Sequence, residues 1–184
     1  MTKKEIRKIM LEKRDKLDKK EHKIKNQNII EKIRQDKRYI KSNDIAIFYP
    51  FGAEINLIPL TKDNKNFYIP RVEKDGMHFY KFDKNTRLKK SKFGIPEPTS
   101  GEICDERIDF MIVPALAISK DKYRIGYGGG YYDKFIGKNN LKHKIGVIFD
   151  FQEIDYIPVE KFDQKLDDYI KDWNVYSNYF SCWI

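Results

Sequence analysis

The first 40 residues of the chain have the polar and apolar spacing of helices. Residues 2–37 contain no proline or glycine and are rich in lysine and glutamate. Isolated apolar residues recur there at roughly helical spacing: Ile6, Met10, Leu17, Ile24 and Ile33. This spacing predicts a helical region with one apolar stripe, and we expect a break near Asp18–Glu21.

Beyond residue 43 the apolar residues come in short runs that are typical of β-strands. Ile45–Tyr49 predicts a buried strand that ends at Pro50. Asn66–Val72 and Met77–Phe82 flank the turn-forming residues Glu73–Gly76. These two runs therefore predict a hairpin of paired strands.

Two later runs are apolar throughout, as in strands that are covered on both faces. They are Phe110–Leu116 and Lys144–Phe151, and a short helix is expected between them from Tyr131 or Tyr132. Lys92–Pro98 holds two prolines and a glycine and predicts a loop. Strands that alternate with helices favour an α/β sandwich. No linker divides the chain, so we expect a single domain over residues 1–184.

Composition narrows the class of protein. Hydrophobic residues make up 40% of the 184 residues, which is enough for a core and argues against a disordered chain. No apolar run is long enough to cross a membrane, and the N-terminal segment lacks the apolar stretch of a secretion signal. Cys104 and Cys182 are isolated, with no disulfide or metal spacing. These features predict a cytoplasmic location.

The formal net charge of +9 leaves two interpretations open. It reflects either a lysine-rich solvated surface or a protein that meets polyanions, such as nucleic acid, a membrane surface or small phosphorylated substrates. Lysines are spread along the chain, which argues against a nucleic-acid groove. Lys3, Arg7 and Arg14 fall close to one helical stripe, which is either a solvated face or a cationic edge for phosphates.

The segment RIGYGGGYYDKFI, Arg124 to Ile136, carries the sharpest chemical signal. Four of its residues are glycines within a five-residue stretch, between a buried strand and an expected helix. Main-chain N–H groups there can converge on an anion, and Arg124 supplies a fork of further donors. Asp133 is suited to hold a divalent cation that bridges phosphates. The alternative is a tight turn that is glycine-rich for structural reasons alone.

Known nucleotide-binding motifs do not fit this segment. The dinucleotide pattern G-x-G-x-x-G fails because Tyr131 stands three positions after Gly128, and no G-K-[ST] follows the glycines. The three histidines are scattered, and no serine or cysteine nucleophile motif occurs. Asp167 and Asp168 either offer further metal oxygens or form a polar loop end, and Glu54 follows a strand end, where it either contacts a ligand or lies on the surface.

The chain resembles the 5-formyltetrahydrofolate cyclo-ligase family. The resemblance runs nearly end to end and rests on the segments KKEIR, YPFGAEINL, YIPRV, FGIPEP, DFMIVPALAISKDKYRIGYGGGYYDKFI, KIGVIFDFQ and KLDDYI. It implies a three-layer α/β/α sandwich related to the sugar-isomerase and CoA-transferase-like group. It also implies a ligase that uses ATP and Mg2+ to convert 5-formyltetrahydrofolate into 5,10-methenyltetrahydrofolate, ADP and phosphate.

The resemblance also implies roles for individual residues. An ATP-binding set comprises Lys3, Lys4 and Arg7 at the N-terminus and Arg124, Ile125, Gly126, Tyr127, Gly128, Gly129, Gly130, Tyr131 and Tyr132 in the glycine segment. Arg124 and Asp133 are implied to be catalytic. Asp133 and Asp167 are implied to bind magnesium, with Asp168 as an alternative to Asp167. Tyr49 and Glu54 are implied to contact the folate.

These implications define the expected partners. They are ATP and a reduced folate, with or without a polyglutamate tail, and neither nucleic acid nor membrane; a monomer or weak dimer is expected. Two other functions stay open from the sequence: a basic nucleic-acid-binding module, and a fold relative such as an isomerase or acyl-CoA-using transferase.

Overall fold

The structure is a computed structural model that describes residues 1–172, so Cys182 lies outside the described residues. It contains four α-helices in that range: α1 (Lys3–Asp15), α2 (Lys19–Gln35), α3 (Lys37–Lys41) and α4 (Tyr131–Lys138). Its strands are β1 (Asp44–Ala46), β2 (Asn66–Val72), β3 (Met77–Phe82), β4 (Leu88–Lys90), β5 (Pro96–Pro98), β6 (Phe110–Pro114), β7 (Ala117–Ser119), β8 (Arg124–Ile125), β9 (His143–Ile148), β10 (Glu153–Ile154) and β11 (Asp168–Lys171). Three short 3-10 helices cover Ile58–Lys62, Asp105–Arg107 and Asp150–Gln152.

Side-chain caps explain why the N-terminal region breaks into separate helices. Thr2 and Glu5 form a reciprocal capping box at the start of α1. Asp18 caps α2 by accepting hydrogen bonds from the N–H groups of Lys20 and Glu21. The predicted break is therefore confirmed, although the separate helix α3 was not foreseen.

A six-stranded sheet in the order β11-β9-β6-β1-β2-β3 forms the middle of the molecule. All its pairs are parallel except β2 with β3, which form the predicted hairpin. The predicted strand Ile45–Tyr49 is shorter than expected, because regular pairing ends at Ala46. The expectation of a loop over Lys92–Pro98 is wrong at its end, where Pro96–Pro98 pairs with β4.

Two hydrophobic clusters cover the two sides of this sheet. One contains Ile29 and Ile33 of α2 and Tyr39 of α3. The other contains Phe135 and Ile136 of α4. The α/β class is therefore confirmed, with helices on both sides of a central sheet. No helix in residues 1–172 is long and apolar enough to cross a membrane.

The sheet topology determines where loops can meet. Parallel strands place their carboxyl ends at one edge, and ligands of open α/β sheets bind at that edge. The segment after β1 carries Tyr49 and Glu54, and the segment after β6 leads through the small sheet β10-β7-β8 to the glycines. Residues that are distant in sequence therefore approach one another there.

Candidate functional site

The glycine-rich loop, residues 126–130, connects β8 to α4. Gly130 is the N-cap of α4 and has a φ of 67°, a backbone angle that residues other than glycine rarely adopt. Gly126 is needed for a different reason, since an added Cβ would lie 2.6 Å from Nη1 of Arg124. The loop is therefore glycine-rich because its main chain turns sharply against a buried arginine.

Arg124 and Asp133 form an ion pair beneath this loop. Nη2 of Arg124 donates to Oδ2 of Asp133 at 3.0 Å, and the arginine side chain is only 4% exposed. The second oxygen of Asp133 accepts a hydrogen bond from the main-chain N–H of Gln164. Burial lowers the pKa of the Arg124 guanidinium, and the Asp133 carboxylate opposes that shift.

The Arg124 guanidinium also retains an unused donor. Nη1 makes a long contact of 3.4 Å to the carbonyl oxygen of Pro114, and the guanidinium carbon lies 5.5 Å from the centre of the Tyr132 ring. Its Nε is buried and has no partner among the described residues. An unsatisfied buried donor is costly, and such groups often mark a place where a ligand completes the structure.

Helix α1 brings two of the three predicted N-terminal cations to the same place. Nε of Arg7 donates to the carbonyl oxygen of Gly126 at 2.8 Å. Lys3 pairs with Asp163 at 2.6 Å, and Asp163 directly precedes the residue that contacts Asp133. Lys4 is exposed. The cationic stripe predicted from the sequence therefore lies against the glycine-rich loop through Arg7, while Lys3 lies next to the segment that contacts Asp133.

Glu54 lies on the other side of the loop and is buried. Its Oε2 accepts a hydrogen bond from the N–H of Phe51 at 2.9 Å. Burial raises the pKa of Glu54, while the Phe51 N–H, the Tyr127 hydroxyl and the Arg14 charge act in the opposite direction. Tyr127 belongs to the glycine-rich loop, so one residue of the loop interacts electrostatically with Glu54.

Tyr49, Tyr131 and Tyr132 each pack against other parts of the fold. Tyr49 packs edge-to-face on Phe82, with ring centres 6.1 Å apart. Tyr131 contacts Phe93, which the sequence placed in the FGIPEP segment. Burial raises the pKa of Tyr132 strongly, so its hydroxyl stays protonated.

The two predicted magnesium ligands have different environments. Asp133 pairs with Arg124, whereas Asp167 accepts hydrogen bonds from both the main-chain N–H and the ammonium of Lys144, each at 2.8 Å. Asp168, the alternative, lies 3.1 Å from Arg38. Within residues 1–172, no group of three or more His, Cys, Asp or Glu side chains is arranged to hold a metal ion.

The structure adds two residues to those expected. Arg14 is 5% exposed, donates to the hydroxyl of Tyr127, and lines a small cavity together with Glu54. Its place on the cationic stripe was the only signal in the sequence. Asp163 had no signal, because only the folded chain brings it to Lys3.

Comparison with known proteins gives the family. A model described as the 5-formyltetrahydrofolate cyclo-ligase family matches residues 1–172. The chain is 30% identical to the 5-formyltetrahydrofolate cyclo-ligase of Mycoplasma genitalium, over 88% of this chain and 93% of that protein. It is 28% identical to the Haemophilus influenzae enzyme of the same name, over 70% of this chain and 75% of that protein.

A solved structure is also similar. The NMR structure of Aquifex aeolicus 5,10-methenyltetrahydrofolate synthetase aligns with a TM-score of 0.84 and 31% identity, over 95% of this chain and 91% of that one. Sequence and fold agree, and the chain belongs to the 5-formyltetrahydrofolate cyclo-ligase family.

Proposed function

We propose that this protein converts 5-formyltetrahydrofolate into 5,10-methenyltetrahydrofolate and that it uses ATP and Mg2+ to do so. One observation carries the proposal beyond family membership. Tyr127 belongs to a loop suited to phosphates, and its hydroxyl accepts from Arg14, which lines the same small cavity as the buried carboxylate of Glu54. A nucleotide at the loop and a folate at Glu54 would therefore be neighbours.

The loop and its cations fit a triphosphate. Bare main chain, the unsatisfied Nε of Arg124 and the adjacent Arg7 all present donors, and no acidic side chain belongs to residues 126–130. Donors fixed in a water-poor site stabilise phosphate charge better than mobile ones. Lys3 would add a further cation at the edge of the loop.

The donor set fits a magnesium ion that is bound jointly by protein and phosphate. Mg2+ commonly takes only one or two carboxylates and fills its other positions with phosphate oxygens and water. Asp133 would supply the carboxylate, and each of its oxygens has a second lone pair to offer. When bound, the ion would neutralise phosphate charge. Asp167 as a second ligand stays a prediction, since it is paired with Lys144.

Glu54 would hold the pterin ring. A carboxylate can accept from two neighbouring N–H groups at once, as a pterin presents them. Burial makes this pairing favourable, because an unpaired carboxylate there is poorly solvated. Tyr49 would form part of the wall of the pocket.

The proposed reaction needs no protein nucleophile. The formyl oxygen attacks the terminal phosphorus of ATP and releases ADP. N10 of the folate then attacks the activated carbon and releases its proton to solvent, the ring closes, and phosphate leaves with the former formyl oxygen. Phosphorylation turns the formyl oxygen into a good leaving group and makes the formyl carbon a better electrophile. The protein therefore needs mainly to position the substrates and to neutralise charge.

The direct test is to follow the absorbance of the methenyl product with the protein, 5-formyltetrahydrofolate, ATP and magnesium. We expect product only when all components are present, and no product with all of them present would overturn the proposal. The Glu54→Gln variant should weaken folate binding by about tenfold or more while ATP affinity is retained. Glu153→Gln is a matched control, because Glu153 pairs instead with Tyr169 and Lys171. An unchanged folate Kd in Glu54→Gln would remove Glu54 from the site.

Several other properties stay predictions. They are a single domain over residues 1–184, a cytoplasmic location, and a monomeric or weakly dimeric state. The basic charge is also predicted to speed the encounter with ATP and folate, both of which are polyanions. A kcat/KM that does not change with ionic strength would contradict that last prediction.

A further inference from the structure

Arg14 is a buried cation that the proposed reaction does not use. It lies in the last turn of α1, and its residue surface is 5% exposed. Its Nη2 donates to the hydroxyl of Tyr127, while its Nε has no partner among the described residues. A buried guanidinium with an N–H group that lacks a hydrogen-bond partner requires an explanation, because desolvation without full hydrogen bonding is unfavourable.

The surroundings of Arg14 point to Glu54. The two residues line one small cavity, whose other members are apolar apart from Gln152. The amide of Gln152 is already occupied by main-chain groups of Phe149 and Leu116. Arg14 and Glu54 are therefore the two opposite charges of this cavity. They lie farther apart than the 4.0 Å of a direct ion pair, as no such pair occurs between them in residues 1–172.

Tyr127 interacts with both of these charges: its hydroxyl accepts from Arg14, and its side chain interacts electrostatically with Glu54. Burial raises its pKa strongly, so the hydroxyl stays protonated and has one hydrogen to donate. It accepts from Arg14 through a lone pair and can direct that hydrogen to the Glu54 carboxylate, with which it interacts. Donation from Arg14 occupies one lone pair of this hydroxyl and leaves its hydrogen available to Glu54.

The same tyrosine is part of the glycine-rich loop. It lies between Gly126 and Gly128, so any ligand that rearranges the loop also moves the Tyr127 ring. In the structure described here, Glu54 already accepts from Phe51 and interacts with Tyr127, and a second ligand must compete for its oxygens. Movement of Tyr127 away from Glu54 would free an acceptor for that ligand.

We infer that Arg14 is a positioning residue that couples the two halves of the site through Tyr127, so that nucleotide in the glycine-rich loop tightens the binding of folate at Glu54. This inference rests on the proposed function. It makes Arg14 part of the communication between two ligands, without contact to the reacting atoms. Coupling of this kind is reciprocal, so folate must tighten nucleotide binding by the same factor.

The test is calorimetric measurement of the Kd of 5-formyltetrahydrofolate with and without a non-hydrolysable ATP analogue and magnesium. For the wild-type protein we expect the analogue to tighten folate binding by about fivefold or more. In Arg14→Met the ratio of the two Kd values should fall close to one, and Arg14→Lys should recover part of it. Tyr127→Phe should remove the coupling in the same way, and adding Arg14→Met to it should change the coupling no further.

The controls separate coupling from a structural role. If Arg14 only stabilises the contact of α1 with the loop, Arg14→Met will weaken both ligands and leave the ratio at its wild-type value, which would overturn the inference. Arg34→Met is the matched control, because Arg34 pairs with Asp63 at the end of α2 and should leave the ratio unchanged. If Arg14→Met does not fold, Tyr127→Phe with a wild-type ratio would overturn the inference.

Failure of the inference and failure of the proposed function give different results. A wild-type protein that forms the methenyl product but shows no change of folate Kd with nucleotide would overturn the coupling alone. A protein that binds neither ligand and forms no product would overturn the function on which the coupling rests.

Discussion

Asp133 stabilises the fold in addition to its proposed catalytic role. Its carboxylate is the ion-pair partner of Arg124, whose side chain is 4% exposed, and it also accepts from the N–H of Gln164. The variant Asp133→Ala removes both interactions at once. It leaves a guanidinium charge that is buried and unpaired, so loss of activity in this variant would not by itself show a catalytic role.

The size of the structural effect follows from the burial of the pair. Removal of one partner from a buried ion pair typically costs about 3–5 kcal/mol. One kcal/mol corresponds to roughly 2–4 °C in the Tm of a protein of this length, so we expect Asp133→Ala to melt about 6–20 °C below the wild type. Asp133→Asn should lose less, because its amide oxygen can still accept a hydrogen bond.

A second substitution separates stability from catalysis. The double variant Arg124→Met with Asp133→Ala leaves no unpaired charge and should regain most of the lost Tm, whereas its turnover should stay absent. Asp155→Ala is the control, because Asp155 forms an exposed pair with Lys120 and should change the Tm little. Circular dichroism melting curves and the absorbance assay, run below each Tm, provide both measurements.

Two results would refute this reasoning. Equal Tm values for Asp133→Ala and the wild type would show that the buried pair does not stabilise the fold. Turnover restored in the double variant would show that neither Arg124 nor Asp133 acts in the reaction.

Three further predictions concern other parts of the molecule. Gly126→Ala should lower kcat/KM by about tenfold or more, since the new Cβ would displace Arg124, whereas Gly137→Ala within α4 meets only ordinary contacts and should stabilise the protein by about 1 kcal/mol. Asp172→Ala should cost about 3–5 kcal/mol in urea unfolding, because it removes the nearer carboxylate of buried Lys25 and leaves only Glu21 at 3.9 Å. Asp105, more than Asp75, raises the pKa of His78. The protonated His78 therefore stabilises the folded state fully below pH 6.5, and this contribution disappears as the pH rises through the folded-state pKa. His78→Gln should remove this pH dependence of the free energy of unfolding.

Each of these has a clear contrary result. Equal kcat/KM for Gly126→Ala and Gly137→Ala would show that Arg124 tolerates the added methyl group. An unchanged urea midpoint in Asp172→Ala would mean that Lys25 finds another partner. A wild-type pH profile of stability in His78→Gln would assign the dependence to other groups.

Local sequence patterns determined most of the secondary structure. The hairpin of β2 and β3 follows from two strand-like runs around a turn, and α1 and α2 begin at residues whose side chains cap their own first turn. The chain also marks its phosphate-binding candidate, since glycines between a strand and a helix let the main chain turn sharply and approach an anion closely. These features depend on neighbours within a few residues, so the sequence alone is sufficient.

Contacts between distant segments were decided only by the tertiary structure. Arg14 and Tyr127 are 113 residues apart, and no local pattern relates them. The separate environments of Asp133 and Asp167 likewise depend on which strand ends and loops the sheet order brings together. Periodicity reports which face of an element is buried, but the partner on that face depends on topology. Most residues of the candidate site could therefore be named from the sequence through the family resemblance, whereas Asp163 and the link from the glycine-rich loop through Arg14 to the Glu54 cavity required the fold.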